Sequence, residues 1–185
     1  MQLRVVTDQP WDVKADVLVI PVVGEPAFDG PLGELDRRAG GELSTLAAFR
    51  ELTGKRFATT LAASGDLLAG RILTVGAGDP ATLDREAVVR VGASAERRLG
   101  GRVVRSLAIW LTPLGEAEGL DGDVELAAQL VARGVVEGSY DPKSIYRSAP
   151  PGATRMSSSS RGGEEMSLQS PWSGDVSSAA GGAVR

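Results

Sequence analysis

Residues Asp16-Val17-Leu18-Val19-Ile20-Pro21-Val22-Val23 are the run on which the fold turns. Apart from Asp16 and Pro21 every side chain in it is aliphatic. A strand with one wet face alternates apolar and polar residues, whereas a strand covered on both faces is apolar at successive positions. The run therefore predicts a central strand of a parallel sheet.

Upstream, Leu3 and Val5 alternate with Arg4 before Val6 and Thr7, which predicts a half-buried strand ended by Pro10. Downstream, Gly30 to Leu52 carries helix formers interrupted at Gly40-Gly41. A glycine inside a helix costs about 1 kcal/mol relative to alanine, so the stretch reads as two helices broken there. Phe57 to Ala63 and Arg71 to Val75 predict two short strands joined by a turn at Ser64-Gly65-Asp66. From Thr82 to Leu99 the pattern is helical, with Thr82 as N-cap and Asp84 and Glu86 in the electropositive first turn. Val88, Val91, Ala95 and Leu99 share its apolar stripe, and Gly100-Gly101 closes it. Val103 to Leu111 predicts a strand ended by Pro113. Asp123 then caps a last helix in which Ala127, Leu130 and Val131 share a face before Gly138. Strands interleaved with helices in this order predict an α/β three-layer sandwich, with a mostly parallel central sheet flanked by helices.

The chain has 185 residues, 42% apolar and 24% charged, which suits one domain with an appendage. It contains no cysteine and no histidine, so disulfides, Cys/His metal sites, thiol nucleophiles and imidazole proton relays are excluded. Catalysis would have to rest on carboxylates, hydroxyls, backbone dipoles and the three lysines Lys14, Lys55 and Lys143. A formal charge of −4 argues against general nucleic-acid binding. No apolar run approaches the roughly 20 residues that span a bilayer, and Met1 to Asp8 lacks the basic-then-apolar order of a signal peptide; a cytoplasmic protein is expected.

Composition changes near Arg147. Residues 1–147 hold 17 positive against 21 negative charges, and residues 148–185 hold three of each among mostly Ser, Gly, Ala and Pro. Such a tail buries too little surface to offset its ordering entropy, so disorder is expected there. Trp172 in it reads as a stray aromatic rather than a docking side chain.

Gly76-Ala77-Gly78-Asp79 reads as a glycine-bearing turn between a strand and a helix, a setting in which backbone amides can hold an anion. Gly76, Gly78 and Asp79 are thus the candidate ligand loop. They lack the third glycine of a dinucleotide fingerprint and the Lys-Ser/Thr of a P-loop, while Asp79-Pro80 adds negative charge and removes a donor. A tight strand-to-helix connection is the stronger reading. Asp16, Glu25, Asp29, Glu34 and Asp36 could supply a cation site or an acid/base pair, although Glu34 and Asp36 read more simply as the wet face of a helix. Arg37, Arg38, Arg50, Lys55 and Arg56 could meet phosphate, but Glu34, Asp36, Glu42 and Glu51 interleave with them. Arg97, Arg98, Arg102 and Arg105 make a second small basic patch, which a partner subunit or nucleic acid could use; for Arg97 and Arg98 compensation of the helix dipole is the equal alternative.

The Asp16-Val-Leu-Val-Ile-Pro run, then Gly70-Arg-Ile-Leu-Thr-Val-Gly-Ala-Gly, then Leu83, Arg85, Glu86 and the small-residue helix to Leu99, resembles the N-terminal domain of the leucyl (cytosol) aminopeptidase family. The likeness is collinear through Val103 to Leu111, Val124 to Glu137 and Gly138-Ser139-Tyr140-Asp141 to Tyr146, and spans residues 2 to about 147. It implies a macro-like module without catalytic residues, ahead of a metallopeptidase domain that uses manganese or zinc, a lysine and several carboxylates, including an Asn-Thr-Asp-Ala-Glu-Gly-Arg stretch. Nothing from Ser148 to Arg185 resembles that stretch, so no catalytic residue, metal ligand or cofactor is carried over to this chain. The expectation is a domain truncated before its catalytic partner, the tail being either the product of a frameshift in GC-rich DNA, which 17 arginines against three lysines fit, or a genuine extension.

Three functions remain: an accessory, oligomer-organising domain of an aminopeptidase; a stand-alone macro-like binder of ADP-ribose or a nucleotide; and DNA binding. For the second, Asp16 at the start of a strand resembles the macro-domain pattern, but Pro21-Val22-Val23 stands where that pattern has an asparagine a few residues later. The partners implied are other aminopeptidase subunits or the catalytic domain, with no membrane. The family assembles as hexamers; for this chain a monomer or weak association is expected.

Overall fold

The structure, a computed structural model, describes residues 8–115 and 120–140. The strand expected at Leu3 to Thr7 and the tail from Ser148, Trp172 included, lie outside the described residues, as does the Asp141 to Tyr146 end of the family-like stretch. In chain order the elements are β1 (Val17–Val23), α1 (Pro31–Arg38), α2 (Glu42–Ala48), β2 (Thr59–Ala62), β3 (Arg71–Gly78), α3 (Arg85–Leu99), β4 (Leu107–Ile109) and α4 (Val124–Ser139). The sheet order is β2-β3-β1-β4. β1 runs parallel to both β3 and β4, and β2 is antiparallel to β3.

β1 is buried on both faces, and its two-residue period sorts its side chains into two cores. Val17 and Val19 join Leu73, Val75 and Ala77 beneath Val88, Val91, Ala95 and Leu99 of α3 and Val131 and Val135 of α4. Leu18, Ile20 and Val22 join Ile72 beneath Leu35 and Leu43 of α1 and α2. Each aliphatic side chain so buried contributes about 1.5–3 kcal/mol, and β1 alone supplies both layers. The three-layer sandwich follows from the Asp16 to Val23 run as expected.

β4 is shorter than the predicted Val103 to Leu111 strand, for two reasons. At its start the Asp16 carboxylate accepts from the Arg105 and Ser106 amides at 2.7 and 3.0 Å, which turns the chain before pairing begins. At its end Pro21 intervenes. Val17 donates to the Ser106 carbonyl and Trp110 donates to that of Val19, so odd-numbered residues of β1 bond toward β4. Pro21 is next in that series and has no N–H. The β1–β4 register accordingly stops at Val19↔Ile109, while pairing with β3 continues past Pro21↔Val75.

The helix after β3 also differs at its start. Pro80–Thr82 forms a separate 3-10 turn, and Asp84 rather than Thr82 is the N-cap of α3, its carboxylate accepting from the Ala87 amide at 2.7 Å. Asp123 caps α4 as predicted, accepting from Leu126 at 2.9 Å. α4 does not end before Gly138 but runs through Ser139. Gly138 is there because α3 passes so close that a Cβ would stand 2.8 Å from the Ala93 Cα.

The break at Gly40-Gly41 separates α1 from α2 as the sequence predicts. Glu34 pairs with Arg37 and Arg38, and Arg38 also lies 5.2 Å from the Trp11 ring centroid. Asp36 corrects the wet-face reading: it is only 8% exposed, and its carboxylate accepts from the Ser44 amide at 2.9 Å. It caps the first turn of α2 from the preceding helix, a role that spacing within α1 does not reveal.

Candidate functional site

In an open α/β sheet, ligands bind beyond the carboxyl ends of the parallel strands, where loops diverge. Here that edge lies beyond β1 and β3. An open cleft of about 640 Å³ occupies it, with Val23, Gly24 and Glu25 on one side, Thr53, Gly54 and Lys55 on the second, and Gly78, Asp79 and Pro80 on the third. Two members of the candidate ligand loop, Gly78 and Asp79, line this cleft.

Gly76 does not, and the predicted turn is absent. Gly76, Ala77 and Gly78 are the last residues of β3, fully buried in the sheet. Their small size is explained by the segment Gly54-Lys55-Arg56, which straps across the strand ends. A Cβ on Gly54 would overlap the Gly24 carbonyl oxygen, and one on Gly76 would overlap the Lys55 carbonyl oxygen. One on Gly78, whose φ is +97°, would stand 2.5 Å from Arg56 Cγ. The Arg56 guanidinium is itself held by the Thr82 carbonyl. Successive residues of the strap thus cover successive glycines.

The strap and strand ends satisfy one another. Gly24 donates to the Gly78 carbonyl at 2.7 Å, Gly78 to Gly54 at 2.9 Å and Gly76 to Ala58 at 2.8 Å. The amides of Gly24, Gly76 and Gly78 are thus spent within the chain. The two helical N-termini nearby are likewise filled by carboxylates. Asp79 accepts from Ala81 at 2.9 Å, and Asp84 caps α3. An incoming phosphate would meet the carboxylates of Glu25 and Asp79 in the cleft, against the single cation Lys55. The cleft stays open, but the glycine amides of its strand ends face one another rather than a ligand.

The remaining candidates are scattered. Asp16 lies at the opposite edge of the sheet from Glu25, and Asp36 is buried between α1 and α2. Among the described residues no three carboxylates gather as a metal's ligands would. With its carboxylates so scattered, the described part of the chain does not fit the manganese or zinc that the family resemblance attaches to its catalytic domain, a site of gathered carboxylates. Hydrogen bonds from the Arg105 and Ser106 amides hold the Asp16 carboxyl below the usual aspartate range. Arg38's hydrogen bond, aided by the charge of Arg37, does the same for Glu34. Both shifts come from structural pairing.

Because the folded Asp16 is the stronger acid, its contribution to stability is full above the ordinary aspartate range and is lost as pH falls through that range toward its folded value. Asp16→Ala is therefore expected to destabilise the domain at neutral pH, with the difference from the parent chain shrinking on acidification. Urea unfolding at a series of pH values checks this; a difference independent of pH contradicts it.

Three comparisons bear on these observations. The cytosol aminopeptidase family, N-terminal domain, matches residues 19–148. No curated protein matches the chain. Among solved structures, the bottromycin maturation enzyme BotP in complex with Mn aligns at 24% identity and a TM-score of 0.49, covering 72% of this chain and 25% of that one. The chain thus spans about a quarter of the length of that structure.

Proposed function

We propose that this chain, which belongs to the cytosol aminopeptidase family by its N-terminal domain, is a non-catalytic accessory module that docks on aminopeptidase subunits or their catalytic domain. Manganese- or zinc-dependent release of N-terminal amino acids is, on this reading, the work of residues outside this chain. One observation carries it: at the edge where an α/β domain would hold a ligand, the Gly54-Lys55-Arg56 strap and the ends of β1 and β3 consume one another's hydrogen-bonding groups. A fold whose strand-end donors are committed in this way keeps its framework and offers partners its outer surfaces instead.

The ADP-ribose reading needs the same donors free. Its diphosphate would require donors that Gly24 and Gly78 have already committed and would face the carboxylate of Asp79. Supporting the accessory role directly calls for a partner. The full chain should show no hydrolysis of leucyl-anilide with added manganese or zinc, and should form a complex, by size exclusion with light scattering, with a separately produced catalytic domain of this family. Hydrolysis by the chain alone would overturn the proposal, as would the absence of any complex.

A further inference from the structure

The amino ends of the parallel strands carry an arginine cluster that forms no ion pair within 4 Å among the described residues. Arg97 and Arg98 end α3, and Arg102 bonds back to the Arg98 carbonyl. Arg105 precedes β4 and donates its amide to Asp16. Arg71 opens β3 in register with Val17, the residue after Asp16. Topology therefore brings five arginines to one edge of the sheet.

On the helices α1, α3 and α4 several arginines are matched by acids one turn away: Arg38 with Glu34, Arg90 with Glu86, and Arg133 with Glu137. None of the five has such an ion pair among the described residues. Asp16 at this edge accepts from the Arg105 and Ser106 amides, and its charge acts on Arg105 alone of the five. Compensation of the α3 C-terminus accounts for Arg97, Arg98 and Arg102, whose guanidinium bonds the Arg98 carbonyl, but not for Arg71 or Arg105. Among these charges stands Val103, 90% exposed. It offers one apolar contact point within the cationic loop.

We propose that this edge, centred on Arg102, Val103 and Arg105, is a docking surface for a protein segment that carries carboxylates beside an aliphatic side chain. Arginine favours that chemistry, since its planar fork pairs with carboxylates through two hydrogen bonds. A nucleic acid would use the charge but not Val103, and the chain's net charge of −4 opposes a long polyanion. The proposal rests on the accessory reading in expecting a protein partner, and it adds where that partner sits and what it presents.

The test uses the full chain and a short synthetic peptide of alternating glutamate and leucine, followed by amide NMR. Shifts are expected at residues 97–105 and at Arg71. Binding should weaken about tenfold in the Arg102→Glu/Arg105→Glu double variant, roughly one and a half kcal/mol, and severalfold in Val103→Ser. Both variants alter exposed side chains, and their amide spectra report whether the fold is kept. Raising the salt from about 0.05 to about 0.3 M should weaken binding further. Shifts elsewhere or none, indifference to either variant, or tighter binding of duplex DNA than of the peptide would each overturn the proposal. If the chain binds an added catalytic domain and the double variant binds it equally well, this surface falls and the accessory reading stands. Peptide binding here without any catalytic-domain complex gives the reverse.

Discussion

Gly134→Ala is expected to destabilise the domain by about 3 kcal/mol, although the same change on a solvent-facing helix would stabilise by up to about 1 kcal/mol. The opposing terms are steric and conformational, and geometry decides between them. A Cβ on Gly134 would overlap the Val89 carbonyl oxygen outright and stand 3.0 Å from the Ala93 nitrogen. Both atoms belong to the α3 backbone, which has no rotamer with which to yield. Gly92 makes the reciprocal contact from α3, where a Cβ would stand 3.2 Å from the Val135 nitrogen. The two helices touch backbone to backbone, and an added methyl must push them apart and open the core around Val88, Val91, Val131 and Val135. Since domains of this kind have only about 5–15 kcal/mol in total, the loss would appear as a large fall in the urea midpoint. An unchanged or raised midpoint would show that α3 and α4 are not so closely packed.

Gly54→Ala is the second large effect. The new methyl would overlap the Gly24 carbonyl oxygen and stand 2.6 Å from its carbon, forcing the strap away from the end of β1. The Gly78-to-Gly54 and Gly24-to-Gly78 hydrogen bonds would stretch with it. Two bonds at about 1 kcal/mol each, added to the backbone strain, put the cost at about 3 kcal/mol. Thermal or urea unfolding measures the loss. A second readout separates this cause from general damage: amide exchange should quicken at Gly24 and Gly78 more than at Val19 or Leu73 in the sheet centre. Uniform acceleration would contradict the strap as the point of failure.

Much of the fold was legible because its signals are local. The aliphatic run of β1, the glycine pair between α1 and α2, the stripe Val88-Val91-Ala95-Leu99 and the Asp123 cap each declare themselves within a few residues. The errors share a different cause. Thr82 and Asp84 are both good caps, and what chooses between them is the 3-10 turn that begins at Pro80. β4 ends early because of Pro21, some ninety residues away in sequence. Asp36 looks solvated within its own helix and is buried because α2 folds back on it.

The candidate site was only half visible for the same reason. Gly78 and Asp79 stand out in sequence and do line the cleft. Gly76 was taken for a turn residue, since a glycine between strand and helix usually is one, whereas here it makes room for the Lys55 backbone. Gly24 and Gly54, which meet at this edge, carry no local signal, because their requirement for glycine arises only when the strap crosses the strands.

The commitment of the Gly24 and Gly78 amides within the chain is tested most directly by their hydrogen exchange in the full chain, with and without ADP-ribose. The account predicts slow exchange at both amides, comparable to that in the middle of β1, and no change on adding the ligand. Rapid exchange without ADP-ribose that slows in its presence would mean that these donors are free to hold a diphosphate, and the chain would then be a ligand-binding module rather than an accessory one.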